Sequence, residues 1–140
     1  MESQSKSKDR VRAVVGFIAG VQAVVGLALL FAGREVTAVA LSAPAPEPLP
    51  SLLGAAYLGF AAMNWIARHN VLGGIYGRAV VAANQTHFVI GALTLAKPLL
   101  TWSATAPVMM IGVAYAVGAL YFIRLSASTG LRPADSGERP

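Results

Sequence analysis

The fold is decided by residues 13–33, which read AVVGFIAGVQAVVGLALLFAG and contain one polar side chain, Gln22. At 1.5 Å of rise per residue, about 20 apolar residues in an α-helix cross the ~30 Å hydrocarbon core of a bilayer. The run is also longer than the ~7–15 apolar residues of a secretory signal peptide. We therefore predict an uncleaved first transmembrane helix over residues 12–33.

The composition of the whole chain agrees with a membrane location. Of the 140 residues, 56% are hydrophobic and 12% are charged, whereas soluble domains average about 45–50% and about 25%. This balance argues against a soluble enzyme, a disordered tail and a nucleic-acid-binding domain. The chain has no cysteine, which excludes disulfides and thiolate metal sites. We expect membrane lipid as a partner and no nucleic acid.

Three further apolar segments follow the first, so the sequence predicts an all-α, four-helix transmembrane bundle. The membrane domain is expected over residues 11–125. The polar stretches 1–10 and 126–140 are predicted to be disordered tails, because they offer few apolar side chains to bury. The helices are expected at about 12–33, 51–68, 76–96 and 105–125.

Proline and glycine mark the breaks between these helices. Residues 43–50 read APAPEPLP, and proline lacks the backbone N–H that a continuing helix needs. The Gly73–Gly74 pair predicts a tight turn, and Pro98 predicts a break before the last helix. Residues 36–41 are mostly apolar and are expected either to extend the first helix or to lie at the membrane surface.

The positive charges predict an orientation for the bundle. Nine of the eleven Lys and Arg residues lie in the N-terminal tail, between residues 68 and 78, or from Arg124 onward. The other two connections contain only Arg34 and Lys97. Because Lys and Arg are enriched in cytoplasmic segments, both termini are expected in the cytoplasm.

Each predicted helix has a polar side chain near its midpoint. His87, for example, lies nine residues after Arg78 and ten before Lys97. Polar groups at that depth are costly in hydrocarbon and usually face the interior of a bundle. We therefore predict an interior polar layer, the floor of a pocket, formed by Gln22, Tyr57, His87 and Tyr115.

A second polar group is predicted closer to the cytoplasm. Asn64 and Arg68 are four residues apart and share a helix face. Arg78 and Asn84 lie opposite them if the second and third predicted helices form an antiparallel hairpin. These four residues are expected to line a basic mouth that could hold an anionic or carbonyl head group.

The sequence leaves several roles open for His87. It could be a structural histidine bonded to Gln22 or to a tyrosine, a ligand contact, a haem or metal ligand, or part of a proton relay. The spans contain no second histidine and no carboxylate, so we predict neither a metal site nor a cofactor. The arginines could serve only as topology signals, and the tyrosines only as packing residues.

The stretch GAAYLGFAAMNWIARHN at 54–70, followed by GGIYGR at 73–78 and NQTHF at 84–88, resembles small bacterial four-helix membrane proteins. The layout of the chain also resembles the DoxX-like group of four-span proteins. The resemblance implies a four-helix architecture and the bacterial inner (plasma) membrane as the location. No functional motif of that group maps onto these residues.

From these features we expect a small integral membrane protein whose pocket binds a lipophilic small molecule, or an accessory subunit of a larger membrane complex. One alternative is a membrane-embedded enzyme acting on a lipid, quinone or terpenoid, with His87 as acid/base. Another is a small oligomeric transporter or channel, in which GxxxG pairs such as Gly16/Gly20 could pack copies together. Whether the chain catalyses any reaction stays open.

Overall fold

A computed structural model describes residues 2–70, 74–101 and 103–130. The chain is all-helical over these ranges, with no β-strand in them. The helices are α1 (Glu2–Phe31), α2 (Gly33–Leu41), α3 (Leu49–Ala67), α4 (Gly74–Leu100) and α5 (Ala106–Gly130).

Four of these helices are long and apolar enough to cross a membrane. The candidate spans are Ser5–Phe31 in α1, Leu49–Ala67 in α3, Tyr76–Leu100 in α4 and Ala106–Ser128 in α5. The predicted all-α fold with four such helices is confirmed. The short helix α2, with nine residues, corresponds to the apolar stretch 36–41 and is separate from α1.

The ends of the helices differ from the predicted ends. α1 begins at Glu2, so the described part of the segment 1–10 is helical rather than disordered, because it contains Lys, Arg and Glu and no glycine or proline to stop a helix. α5 continues to Gly130, which makes residues 126–130 helical, whereas 131–140 lie outside the described residues.

Two predicted breaks also have different outcomes. Pro98 lies inside α4, which ends at Leu100. A proline this close to a helix end disturbs only the last turns, so it does not end the helix where the sequence predicts. Gly74 begins α4, and Gly73, the other half of the predicted turn, lies outside the described residues.

The long helices pack as two antiparallel pairs. α1 lies along α3 at a crossing of two glycines: a Cβ at Gly26 would lie 2.9 Å from the carbonyl oxygen of Gly54. α4 lies along α5, where Gly91 faces the ring of Tyr115 and Gly118 faces Phe88. Small residues at these positions let the helix backbones approach closely, as is common in membrane bundles.

A small apolar core joins the two pairs. Val15 of α1, Val81 of α4, and Phe122 and Leu125 of α5 are buried against one another. Phe88 stacks on Phe122 with ring centroids 5.6 Å apart. The N-terminal part of α1 therefore packs against the C-terminal part of α5.

At the opposite end, α2 connects the pairs through hydrogen bonds of two threonines. The Thr37 hydroxyl donates to the carbonyl of Gly33 at 2.7 Å and accepts from the N–H of Ala45 at 2.9 Å. The Thr105 hydroxyl, just before α5, donates to the carbonyl of Ala40 at 3.0 Å. α2 is thus tied both to the following loop and to the start of α5.

The outward faces of the helices are strongly apolar. Large hydrophobic side chains such as Phe17, Ile66, Met110 and Leu120 are more than two-thirds exposed. Exposed apolar surface on this scale is unusual for a monomeric soluble protein and suits contact with lipid hydrocarbon.

Candidate functional site

Three amide side chains meet inside the bundle: Gln22 of α1, Asn64 of α3 and Asn84 of α4. Both asparagines are fully buried, and Gln22 is 3% exposed. The Asn64 Nδ2 donates to Gln22 Oε1 at 2.8 Å and to Asn84 Oδ1 at 2.9 Å. The Asn84 Nδ2 donates back to Asn64 Oδ1 at 2.6 Å. This group, which we refer to as the amide cluster, links three helices.

The amide cluster uses most of its hydrogen-bonding capacity internally. Asn84 Nδ2 also donates to the carbonyl of Val80 at 2.9 Å, so both asparagine amides donate twice. The Nε2 of Gln22 is buried and has no partner among the described residues. Buried donors are normally satisfied, so a water or another acceptor is expected at this one atom.

A second polar group joins Tyr57 of α3, His87 of α4 and Tyr115 of α5. The two tyrosine hydroxyls are hydrogen-bonded to each other, and the Tyr115 hydroxyl is hydrogen-bonded to His87 Nε2 at 3.2 Å. All three side chains are half-buried. We refer to this group as the Tyr–His chain; it is more accessible than the amide cluster.

Aromatic rings surround the His87 imidazole. Phe60 is closest, with ring centroids 4.6 Å apart, and the centroid of Phe88 lies at 5.3 Å. The rings of Tyr115 and Tyr57 lie at 5.2 and 5.6 Å. The arrangement offers an apolar, ring-lined environment with a few hydrogen-bonding groups, which is the usual make-up of a small-molecule site.

The structure divides the predicted polar layer into two levels. Tyr57, His87 and Tyr115 come together as predicted, but Gln22 bonds to Asn64 instead. Asn64 follows Tyr57 by seven residues, which corresponds to about 10 Å along a helix. Counting residues to the midpoint of each of four helices of unequal length does not resolve a difference of about 10 Å in depth.

The predicted mouth is not assembled as one group. Asn64 and Asn84 are both inside the amide cluster. The Arg68 guanidinium lies 3.6 Å from the centroid of the Trp65 ring and donates to the Trp65 carbonyl. Arg78 is exposed and forms no hydrogen bond or ion pair with the side chains that the structure describes.

The exposed His69 lies beside two arginines at the same end of the bundle. Desolvation first, and then the positive charges of Arg12 and Arg68, lower the pKa of His69 below its ordinary value of 6.5. Within the described ranges, no cluster of three or more His, Asp or Glu side chains could hold a metal ion.

Sequence reasoning missed two of the four rings that surround His87, those of Phe60 and Phe88. Phe60 follows Tyr57 by three residues and therefore shares its helix face, and this spacing is the signal that could have identified it. For the contact between Gly91 and Tyr115, the sequence indicates only that Gly91 lies one turn after His87 and so shares its helix face. The stacking of Arg68 on Trp65 has the same kind of signal as Phe60, because the two residues are three apart.

No protein-family model, no curated protein and no solved structure matches the chain. The DoxX-like resemblance therefore stays a prediction, and the function has to be inferred from the geometry of the two polar groups.

Proposed function

We propose that this chain is a multi-pass membrane protein that binds a lipophilic small molecule at the Tyr–His chain. The observation that supports this is the half-buried state of Tyr57, His87 and Tyr115 midway along helices long enough to span a bilayer. The three groups are hydrogen-bonded to one another, but the Nδ1 of His87 has no hydrogen-bond partner among the described residues, and an unpaired polar atom at that depth is costly in hydrocarbon. A ligand entering from the lipid would meet them directly.

The expected ligand carries a ring system and a carbonyl or hydroxyl group, as a quinone, a terpenoid or a hydroxylated lipid does. The aromatic side chains around His87 would supply most of the affinity by apolar contact, while the hydroxyls and the imidazole would fix its orientation. The amide cluster supports the site from one level away, because it holds α1, α3 and α4 together.

We further propose that both termini face the cytoplasm of a bacterial cell and that the chain lies in the inner membrane. The antiparallel packing supports this orientation, because it brings the positive charges of α1, α3, α4 and α5 to one end. Those charges are Lys6, Lys8, Arg10 and Arg12 of α1, Arg68 directly after α3, Arg78 of α4 and Arg124 of α5. The other end contains Arg34 and Lys97 together with the acidic Glu35 and Glu47, and positive charge marks the cytoplasmic side.

A membrane-embedded enzyme with His87 as acid/base is the second candidate. The observation that favours it is the continuous hydrogen bonding from Tyr57 through Tyr115 to His87. A hydroxyl that accepts one hydrogen bond and donates another could carry a proton between its neighbours. The accessory-subunit and oligomeric-transporter predictions have no comparable contact in their favour.

The test is native mass spectrometry with lipid analysis of the purified full chain. Wild type is compared with His87→Ala and Tyr115→Phe. His69→Ala is the matched control, because it removes the other histidine of the chain, which lies outside the spans. We expect a specific lipophile in the wild type and the control that is lost from both site variants. Bulk phospholipid alone in all four samples would contradict the proposal, and conversion of the bound lipophile by wild type only would favour the enzyme.

A further inference from the structure

A separate charged group lies where α3 ends, beside residues 12–16 in the first half of α1. The stem of Arg68 crosses α1 at Gly16, with its Cδ 3.6 Å from the position of a Gly16 Cβ. Arg12 precedes Gly16 by one helical turn and so lies on the same face of α1. His69 follows Arg68 directly and senses the charge of both arginines. Arg12, Arg68 and His69 therefore lie at one corner of the bundle.

Among the side chains that the structure describes, no carboxylate forms an ion pair with Arg12, Arg68 or His69. Asp9 is the nearest acid in sequence, but it is exposed and forms no ion pair with any residue that the structure describes. Like charges at short range repel, so the group is less favourable alone than with an anion beside it. The positive charge at Arg12, Arg68 and His69 is thus not neutralised by a described carboxylate, and a bound anion would stabilise it.

Arg68 is already held in a defined place. Its guanidinium lies over the ring of Trp65 and donates to the Trp65 carbonyl. A guanidinium has five N–H donors in a rigid fork, and the described contacts use one nitrogen of it. The remaining donors are available, and their planar arrangement matches two oxygens of a phosphate or carboxylate.

The depth of the corner indicates which anion it meets. Trp65 is about half exposed and lies two residues before the end of the candidate span Leu49–Ala67. Tryptophan at the end of a span is typical of the membrane–water interface, which is where lipid phosphates lie. From Tyr57 to Arg68 the separation is eleven residues, or about 16 Å along a helix, so the corner is distinct from the Tyr–His chain.

We propose that Arg12, Arg68 and His69 form a binding site for a phosphate group, with Trp65 as the platform that positions Arg68. An anionic phospholipid supplies this group from the adjacent leaflet, and a soluble phosphate is the other source with the same chemistry. The site does not depend on a lipophile at His87. A failure there would leave the phosphate site intact, and the reverse also holds.

The test uses the full chain in nanodiscs of phosphatidylcholine alone or of phosphatidylcholine with phosphatidylglycerol. The variants Arg12→Gln and Arg68→Gln each remove one charge from the corner. Arg78→Gln is the matched control, because it removes the same charge from an exposed position at the same end. The readouts are retention of phosphatidylglycerol in native mass spectrometry and the pKa of His69 from NMR titration.

We expect phosphatidylglycerol to be retained about tenfold less by the corner variants than by the control, as the loss of a charge-assisted hydrogen bond predicts. We also expect phosphatidylglycerol to raise the pKa of His69 in the wild type and in Arg78→Gln, but less in the corner variants. Equal losses of phosphatidylglycerol and equal rises in the pKa of His69 in all three variants would overturn the proposal. They would show that the lipid responds only to the general positive charge of this surface.

Two further measurements separate folding and ligand source. Arg68→Lys keeps the charge but loses the fork and the stacked plane, so it should retain the lipid less well than wild type at an unchanged helix content. Inorganic phosphate added to phosphatidylcholine nanodiscs identifies a soluble source if it shifts His69 with the same dependence on Arg12 and Arg68. A response to neither phosphatidylglycerol nor phosphate would refute the site.

Discussion

Replacing Asn64 by leucine should destabilise the folded protein, because Asn64 is the central member of the amide cluster. Its side chain is fully buried and takes part in three hydrogen bonds, at 2.8, 2.9 and 2.6 Å, to two other helices. Leucine has a similar size but no polar atom. The substitution therefore removes the hydrogen bonds while largely filling the space.

The magnitude follows from these contacts. Interhelical hydrogen bonds in membrane proteins average about 0.6 kcal/mol, so three of them correspond to about 2 kcal/mol. The Asn84 amide would also lose its partner in a buried place, which adds at least ~1 kcal/mol. We expect Asn64→Leu to lower the free energy of unfolding by about 3 kcal/mol.

Reversible unfolding in mixed detergent micelles, followed by circular dichroism, measures this change. Thr94→Val is the control, because the Thr94 hydroxyl bonds only to the Ile90 carbonyl of its own helix, and a change within ~0.5 kcal/mol is expected. In a double-mutant cycle, Asn64→Leu with Asn84→Leu should cost about 1–2 kcal/mol less than the sum of the single changes. If the two costs simply add, the reciprocal amide pair does not exist and the reasoning fails.

Three further changes test other parts of the molecule. Gly26→Ala places a Cβ 2.9 Å from a backbone oxygen of α3 and should lower the free energy of unfolding by about 2 kcal/mol. The Cβ of Gly20→Ala meets nothing within 4 Å and should leave that free energy unchanged. Equal effects of the two variants would contradict the close crossing of α1 and α3. Tyr115→Phe removes the hydroxyl that joins the other two members of the Tyr–His chain, so unfolding should become easier by about 1 kcal/mol; an unchanged midpoint would argue against those bonds. Arg12→Gln removes one of the charges that lower the pKa of His69, so NMR should find that pKa closer to 6.5. A histidine whose pKa is lower in the folded than in the unfolded protein contributes stability that is present above pH 6.5 and is lost as the pH falls through the folded-state pKa. Because Arg12→Gln makes this pKa difference smaller, the variant should lose less stability on acidification than the wild type.

The main features of the fold follow from the sequence because the thickness of a bilayer sets the length of an apolar run. Residues 13–33 meet that length with one polar side chain, and α1 crosses the same region. The helix ends are less predictable, because polar helix formers such as those at 5–10 continue a helix as readily as they leave it. Pro98 shows the same difficulty, since a proline close to a helix end does not have to stop the helix.

The polar members of the candidate site were predictable, but neither their grouping nor the rings of Phe60 and Phe88 around His87. Gln22, Asn64 and Asn84 are conspicuous as amides within apolar segments, and the antiparallel hairpin places the two asparagines opposite each other. Which amide faces which neighbour depends on the rotation of each helix about its axis. That rotation is set by close contacts such as the crossing of Gly26 and Gly54, which the spacing of residues along one helix does not contain.

The amide cluster also has a consequence for the order in which the protein is made. Gln22 and Asn64 reach the membrane before their third partner, because Asn84 follows Asn64 by 20 residues along the chain. At ordinary rates of translation this interval lasts roughly one to four seconds. During this interval Asn64 can bond to Gln22 but not yet to Asn84. A chain arrested before α4 would therefore expose an unpaired amide on an otherwise apolar pair of helices. The same three side chains that hold the finished bundle together thus distinguish it from an incomplete one.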